Sequence, residues 1–353
     1  MNPRGAIERL DEWRRRALAG RRRPIIVAVA GILLAATSVG LIGKAANYAK
    51  LGHTLEHADK RWFLVCLGGE ALAYIGYMAA YRDIARVDGG PRLSFWLTAR
   101  IVAASFGAMV VATGVGALAV DYWALRRAGA SRHRAIARVL GLGTLEWAVL
   151  GAAASFSCLA LLLGAGHAPL GMTLPWVIVV PLCYAGAVWV SSPRRRERLT
   201  DPGRGGKIRQ AFADAVLGVV FVRKVITAPV RERGGGLLGT AVYWFGDIVC
   251  LWAGLKAFGV SLSTPELIAG YATGYVSTAL PLPAAGAGGV DAAMTYALTL
   301  VGVPLAPALL GTFAYRIFNF WLPIIPALAV VPFLKQVREE LPDVAVPAVE
   351  ASK

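Results

Sequence analysis

The sequence predicts an all-α polytopic membrane protein, and three observations carry that prediction. The chain is 57% hydrophobic and only 16% charged, with a mean hydropathy of +0.57, which is too apolar for a soluble protein of 353 residues. Its apolar residues form segments near the ~20 residues that a bilayer requires. Its basic residues lie mainly in the connections between those segments. Six full spans are predicted, at residues 24–43, 62–81, 135–163, 173–190, 237–258 and 305–334.

No connection is long enough to hold a sizeable soluble domain, so residues 24–335 are predicted to form a single membrane domain. Two tails, residues 1–23 and 336–353, flank it, and residues 191–236 form a basic loop. The apolar stretch 211–222 within this loop predicts an interfacial helix on anionic lipid. No cleavable signal is predicted, because the arginines of the first tail are followed by a full-length span without a small-residue cleavage site.

The distribution of positive charge predicts the orientation in the membrane. The formal net charge is +16, and lysine and arginine crowd the first tail, the 191–236 loop and the start of the last tail. The connections 164–172 and 259–263 carry neither, whereas connection 44–61 has mixed charge and is placed outside by alternation. By the positive-inside rule, both termini are predicted to be cytoplasmic and the protein to lie in the plasma membrane. Anionic phospholipid is the expected partner of the basic loops, and nucleic acid is not.

Two further apolar segments do not fit a simple span. Residues 94–120 have basic, cytoplasmic flanks at both ends, so the chain must enter and leave on the same face. Residues 265–303 follow an outside connection and precede a span that ends inside, so they must return to the outside. Each segment is predicted to be a re-entrant hairpin, and the two hairpins enter the membrane from opposite faces.

The second hairpin contains the most informative stretch, residues 278–292. Its prolines and glycines cannot belong to one unbroken membrane helix, and the freed backbone groups need partners from protein or from water in a cavity. A helix break at membrane depth that ends on an acid favours a transport pathway over a scaffold. The residues concerned are Pro281, Pro283, Gly286, Gly288, Gly289 and Asp291.

The two halves of the membrane domain share a spaced pattern of residues. Their spans run in opposite directions, so the pattern predicts an inverted repeat of residues 62–163 and 237–334, an architecture of transporters that bind substrate at the midplane. The matching pairs, at one constant offset, are Gly116 with Gly286, Asp121 with Asp291, and Glu146 with Arg316; Gly69-Glu70 also resembles Gly246-Asp247.

Ionisable side chains inside the apolar segments are the candidate substrate-binding residues, because a charge at the bilayer centre costs about 2.5–3.5 kcal/mol. Each has a structural alternative. The mid-span acids could hydrogen-bond a neighbouring helix, the acids after the glycine breaks could be N-caps, Glu146 and Arg316 could pair, and an arginine could snorkel to the headgroups. The full set of candidates, with the glycines of the break, is Glu70, Arg100, Asp121, Glu146, Asp247, Gly286, Gly288, Gly289, Asp291 and Arg316.

These motifs resemble the flippase-like membrane region of the bacterial lysylphosphatidylglycerol synthases, over roughly residues 24–335. The run from Leu280 to Asp291, with Arg316 in the last span, is the most specific part, and the run from Gly114 to Asp121 is its counterpart in the first half. Members have a glutamate where this chain has Asp291. The aminoacyl-transferring domain of the bifunctional synthases has no counterpart in this sequence. The resemblance therefore implies lipid translocation rather than lipid aminoacylation, and the substrate does not carry over.

The predicted function is to move a phospholipid or glycolipid headgroup between leaflets while the acyl chains stay in the bilayer. The acids would face a hydroxylated or cationic headgroup, and Arg316, with Arg100, would hold the lipid phosphate. Two alternatives stay open: a membrane-embedded transferase acting on a lipid-linked substrate, and an ion-coupled transporter of a small solute. No catalytic, nucleotide-binding or metal-ligand motif is found, so no enzymatic activity, cofactor or metal is predicted. A homo-oligomer and a separate lipid-modifying enzyme are the protein partners considered.

Overall fold

The computed structural model describes residues 53–200, 207–227, 230–279 and 288–330. Within these ranges the chain is helical and contains no strand. Ser94, Ser131 and Ser263 each cap the helix that follows by accepting a hydrogen bond from a backbone N–H of its first turn. The helices are α1 Trp62–Arg86, α2 Phe95–Arg127, α3 Arg132–Leu162, α4 Leu170–Val190, α5 Pro193–Thr200, α6 Lys207–Thr227, α7 Val230–Ala257, α8 Thr264–Tyr275, α9 Gly289–Leu300, α10 Leu305–Arg316, a π-helix Ile317–Trp321, and α11 Ile324–Val330.

Five helices in the described part of the chain are long and apolar enough to cross a membrane. They correspond to five of the predicted spans, and the remaining one, residues 24–43, lies outside the described residues. The all-α polytopic fold is thus confirmed. Helix α7 begins at Val230, inside the loop predicted for residues 191–236. The five spans are Trp62–Gly89, Arg132–Leu162, Leu170–Val190, Gly235–Ala257 and Leu305–Ala327.

Helices α1 and α7 run antiparallel in close backbone contact. A Cβ atom on Gly69 would lie 2.8 Å from the carbonyl oxygen of Gly246, and one on Gly76 would lie 2.7 Å from that of Gly239. The later glycine of α1 therefore meets the earlier glycine of α7, which requires opposite directions. Small residues allow this approach, because lipid-embedded helices associate through close packing rather than through exclusion of water. The central spans of the two halves are packed directly against each other.

We expect the Gly246→Ala substitution to destabilise this helix pair. The added Cβ atom would lie 2.5 Å from both the Gly69 carbonyl oxygen and the Ala73 nitrogen, and backbone cannot move away as a flexible side chain can. The expected loss in free energy of unfolding is about 1–3 kcal/mol. Gly68→Ala is the matched control, since nothing lies within 4 Å of the position that its Cβ atom would take and alanine favours the helix. Thermal denaturation of the detergent-purified proteins compares them, and equal midpoints would contradict the packing argument.

Helix α2 reverses its direction within its own length. Ser105 Oγ donates a hydrogen bond to Asp121 Oδ1 at 2.6 Å, although 16 residues separate them. A straight helix would place these residues about 24 Å apart. Leu97 and Leu125, near the two ends of α2, also belong to one buried apolar cluster. Residues 94–120 therefore form two arms that lie side by side, as the hairpin prediction requires, and their depth in a membrane stays a prediction.

Helices α8 and α9 form a second antiparallel pair. A Cβ atom on Gly274 would lie 2.6 Å from Met294 Cα, and one on Gly270 would lie 3.4 Å from a methyl group of Leu298. The tip between these arms, residues 280–287, lies outside the described residues, and it includes Pro281, Pro283 and Gly286. Each half thus has the order span, hairpin, span. The antiparallel directions of α1 and α7 are those that an inverted repeat requires, and the repeat itself stays a prediction.

The basic segment after α4 contains two helices, α5 and α6, within its described residues. Helix α6 packs against α3, where Phe221 lies over Gly141 and Gly218 lies beside Leu140 and Thr144. One ion pair, between Lys224 and Asp88 at 3.1 Å, ties α6 to the connection after α1. The apolar stretch 211–222 thus forms a helix, as predicted. Its placement at the membrane interface remains a prediction.

Cysteine labelling tests the membrane placement of the first hairpin. In a background in which the four native cysteines are replaced by alanine, cysteines placed at Arg92 and Arg127 should both resist impermeant reagents applied to intact cells. A cysteine at Ser261 should be labelled, because its connection is predicted to lie outside. Labelling after cell lysis verifies that each cysteine reacts. If positions 92 and 127 report opposite faces, the re-entrant interpretation is wrong.

Candidate functional site

A buried pair of acids lies where α1 and α7 cross. Glu70 follows Gly69 and Asp247 follows Gly246, the two glycines whose backbones touch. The side chains are almost inaccessible, with Glu70 5% and Asp247 0% exposed. The two carboxyl groups interact with each other. The small residue beside each acid is therefore what allows the acids of the two halves to meet.

Asp247 is surrounded by hydrogen-bond donors from three other segments. Its Oδ2 accepts from the hydroxyl of Tyr271 on α8 and from that of Tyr315 on α10, the latter at 3.0 Å. Its Oδ1 accepts from the amide of Asn319 on the π-helix at 2.8 Å. Such a set compensates much of the loss of hydration that a buried carboxylate suffers. Asp247 thus joins α7, the second hairpin and the last span.

Glu70 is less completely satisfied than Asp247. Its carboxyl group interacts with Asp247 and Asn319, but its Oε2 is buried and has no hydrogen-bond partner among the described residues. A buried oxygen without a partner is costly and needs an explanation. In a protein whose interior binds a polar group, it is a position at which that group can bond.

Asp291 performs two structural tasks at the start of α9. Its Oδ2 accepts a hydrogen bond from the Gly288 backbone N–H at 2.9 Å, and its Oδ1 accepts one from Arg316 Nε at 2.8 Å. Gly288 has a φ of 83°, a backbone conformation that favours glycine. The N-cap of α9 is thus Gly288, and Asp291 is the N3 acid whose carboxylate binds the backbone N–H of that N-cap. The ion pair with Arg316 is buried as well, since Asp291 is 3% and Arg316 6% exposed.

Arg316 has donors left over after this ion pair. Its guanidinium carbon lies 4.3 Å from the centre of the Phe320 ring, and its Nη1 lies 3.5 Å from Asn319 Oδ1. Its Nη2 is buried without a partner among the described residues. Both Asn319 and Phe320 belong to the π-helix, a wider turn that often marks functional sites. The free Nη2 and the free Glu70 Oε2 are two unsatisfied groups of opposite character in one connected network.

A second polar cluster lies on the first hairpin. Asp121 accepts the hydrogen bond from Ser105, and its carbonyl oxygen lies 3.5 Å from the Tyr81 hydroxyl. The half-buried Glu146 lies near Asp121. The backbone carbonyl oxygen of Glu146 accepts a hydrogen bond from Trp244 Nε1 at 2.8 Å. This cluster is the first-half counterpart of Asp291 and Arg316, with an acid in place of the arginine.

Aromatic side chains lie between the two clusters. The Tyr271 ring stacks on that of Tyr275 at a centroid distance of 5.4 Å, and the Tyr275 hydroxyl lies 3.4 Å from that of Tyr243. The ring of Trp147, the residue after Glu146, lies 5.9 Å from the Tyr275 ring, measured between centroids. A path of hydroxyl groups and ring faces therefore runs from Asp247 towards Glu146.

The predicted site residues fall into distinct groups. Four of them, Glu70, Asp247, Asp291 and Arg316, meet in one network, whereas Asp121 and Glu146 form the second cluster. Arg100 is half-buried on the first arm of α2. Gly288 and Gly289 begin α9, and Gly286 lies outside the described residues.

The interpretation that Arg316 pairs with Glu146 is wrong. Arg316 binds Asp291, whose carboxylate lies in the first turn of α9, 2.8 Å from Nε. Three residues of the site, Tyr271, Tyr315 and Asn319, were not predicted from the sequence. Asn319 had a usable signal, as an amide in an apolar span, one helical turn from Arg316. The two tyrosines had no such sequence signal, because tyrosine is common near the ends of membrane spans.

Comparison with known proteins gives one family. A family model described as the lysylphosphatidylglycerol synthase TM region matches residues 26–327, which include all four residues of the central network. A search of curated proteins finds no match. The matched range supports a membrane protein with a role connected with membrane lipids.

Proposed function

The chain belongs to the family of the lysylphosphatidylglycerol synthase transmembrane region, and from this premise we propose that it moves a lipid headgroup between the leaflets of a bilayer. The acyl chains stay in the hydrocarbon while the headgroup passes through the polar interior. The proposal makes the chain a transporter rather than an enzyme. It places the protein in the plasma membrane with both termini in the cytoplasm, in accordance with the positive-inside rule.

One observation carries the proposal: a connected polar network is buried between the central helix pair and the second hairpin. Polar groups in lipid-embedded helices face an interior or a cavity, because exposure to hydrocarbon is costly. Arg316 Nη2 is the group suited to a lipid phosphate, since an arginine donor and a phosphate oxygen form a strong charge-assisted hydrogen bond. Glu70 Oε2 is suited to a hydroxyl or ammonium group of the same headgroup.

In this proposal the two hairpins are re-entrant and enter from opposite faces. The first carries Asp121 and the second carries Asp291, so each brings an acid to the interior from its own side. Anionic phospholipid surrounds the cytoplasmic face, where Arg195 lies 3.9 Å from the centre of the Trp189 ring at the end of α4. An aromatic residue beside a cation is typical of the headgroup region.

Reconstitution tests the function. The purified protein is placed in phosphatidylcholine–phosphatidylglycerol vesicles that contain a trace of fluorophore-labelled phosphatidylglycerol, and dithionite bleaches the label in the outer leaflet. Protein-free vesicles should lose about half of the signal, since a bilayer has two leaflets, and active vesicles should lose nearly all of it. The same assay is repeated with labelled glycolipid and labelled phosphatidylethanolamine. If dithionite bleaches only the outer-leaflet fluorescence for all three lipids, the proposal is contradicted.

A small cationic solute is the second candidate substrate. It is favoured by the balance of charge in the two polar clusters, which contain one arginine, Arg316, and the acids Glu70, Asp121, Glu146, Asp247 and Asp291. Different experiments identify a lipid substrate and a small-solute substrate. Lipid mass spectrometry of the purified protein would identify a retained lipid, whereas uptake of a labelled amine into lipid-inactive vesicles would favour the solute.

A further inference from the structure

The acid pair at the crossing of α1 and α7 has an unequal set of partners. Both side chains are buried, and the contact between Gly69 and Gly246 fixes them on neighbouring backbones. Asp247 receives three donors, two hydroxyl groups and one amide. These donors match the acceptor-only character of an ionised carboxylate. Asp247 is therefore the member of the pair that the surroundings stabilise as an anion.

Glu70 has no comparable support. It adjoins the Asp247 carboxylate and Asn319, and its Oε2 is buried without a partner among the described residues. Two adjacent carboxylates cannot both ionise cheaply in a medium of low polarity, so such pairs share one proton. A protonated Glu70 can donate its hydrogen to Asp247, which removes the repulsion between the two acids.

The charged surroundings do not remove this need for a proton. Among the described residues, Arg316 is the one cation that acts on Glu70, and its Nε is bound to Asp291. The other titratable groups that interact with Glu70 in this part of the chain are acids or neutral at physiological pH. They are Tyr74 on α1, Asp247 and Cys250 on α7, and Tyr315 on α10.

We propose that Glu70 and Asp247 form a proton-binding site that holds one proton on Glu70, and that transport is coupled to its release. The coupling of transport to proton release rests on the proposed function. On release, the O–H bond of Glu70 breaks and the proton passes to water that has entered the pathway. The Glu70 carboxylate then accepts hydrogen bonds from the donors of a headgroup. Reprotonation of Glu70 restores the proton-bound pair, and no electron transfer is involved.

Infrared spectroscopy tests proton binding without any substrate. The detergent-purified protein is titrated with alkali while the carbonyl band of protonated carboxyl groups is recorded. One component of this band should persist well above the pH at which exposed acids ionise, and Glu70→Gln should remove it. Gln keeps a donor towards Asp247, so the variant should fold. Glu56→Gln, at an exposed residue, is the matched control and should leave the band intact. A wild-type spectrum unchanged by Glu70→Gln would overturn the proton site.

A vesicle experiment tests the coupling. Vesicles of phosphatidylcholine and phosphatidylglycerol contain the protein and labelled phosphatidylglycerol. A trapped pH dye reports the pH inside the vesicles. A gradient of one pH unit should change the rate of label movement by up to about tenfold, because the protonated fraction of a single group changes by that factor. Glu70→Gln should lower the rate, because Glu70 also binds the headgroup, and the movement that remains should be independent of the gradient.

The outcomes separate the two proposals. Label movement at one rate with and without the gradient would overturn the coupling and leave the lipid function standing. A Glu70-dependent carbonyl band in a protein that moves no lipid would support the proton site and overturn the proposed function.

Discussion

Asp291→Asn should lower the free energy of unfolding by about 3–5 kcal/mol, the range found when one partner of a buried ion pair is removed. The carboxylate serves two donors at once, the Gly288 N–H and Arg316 Nε. An asparagine oxygen can serve one of them, and its amide then faces the other as a second donor. A role as an N-cap alone would make the substitution mild, because asparagine caps a helix about as well as aspartate. The ion pair changes that expectation.

The control for Asp291→Asn is Asp88→Asn, which removes the acid of the Lys224–Asp88 pair. The Asp88 side chain is 53% exposed, against 4% for Asp291, so its loss should cost about 0–1 kcal/mol. Denaturation midpoints measured in one detergent compare the two. The double variant Asp291→Asn with Arg316→Gln should recover part of the lost stability, since it no longer buries an unpaired cation. Equal effects of the two single substitutions would contradict a buried ion pair.

The return of α2 on itself could be predicted from the sequence, whereas the entry of both hairpins into the membrane stays a prediction. Residues 94–120 are flanked by arginine at both ends, and charge distribution is a physical determinant of membrane orientation. The reversal of α2 follows from those flanks without knowledge of any contact. The crossing of α1 and α7 was also accessible, because a glycine followed by an acid recurs in both helices, at Gly69 and at Gly246. Small residues allow close approach, and an acid in a span must face the interior.

The partners within the site could not be predicted in the same way. Alignment of the halves matched Glu146 with Arg316, and opposite charges at matching positions suggest a pair. The structure instead gives Arg316 the acid of its own half, Asp291. Which acid an arginine reaches depends on the angle of the hairpin and on the π-helix after α10, and neither follows from periodicity. The donors of Asp247 come from the second hairpin and from the last span, both distant from Asp247 in sequence, so only their packing reveals them.

The second large effect is expected for Arg316→Lys. Lysine keeps the positive charge and can still reach Asp291, so the folded protein should persist. It loses the planar fork that places one nitrogen on Asp291, a second near Asn319 and a third, Nη2, free for a phosphate. It also loses most of the contact with the Phe320 ring. If Nη2 holds the lipid phosphate, movement of labelled phosphatidylglycerol per folded protein should fall by about tenfold or more, since a charge-assisted hydrogen bond contributes about 1.5–3 kcal/mol.

Arg138→Lys separates this loss from general damage to a buried arginine. Arg138 is also buried, and its nitrogens donate to the carbonyl oxygens of Ala85, Val87 and Arg134. Its substitution should lower the denaturation midpoint, because those carbonyls lose donors, while lipid movement per folded protein stays unchanged. Arg316→Lys should show the reverse balance, with a small change in the midpoint and a large change in rate. If both variants lose rate only in proportion to folded protein, Arg316 is an architectural residue, and the headgroup site must be sought at Glu70 and Asp247 instead.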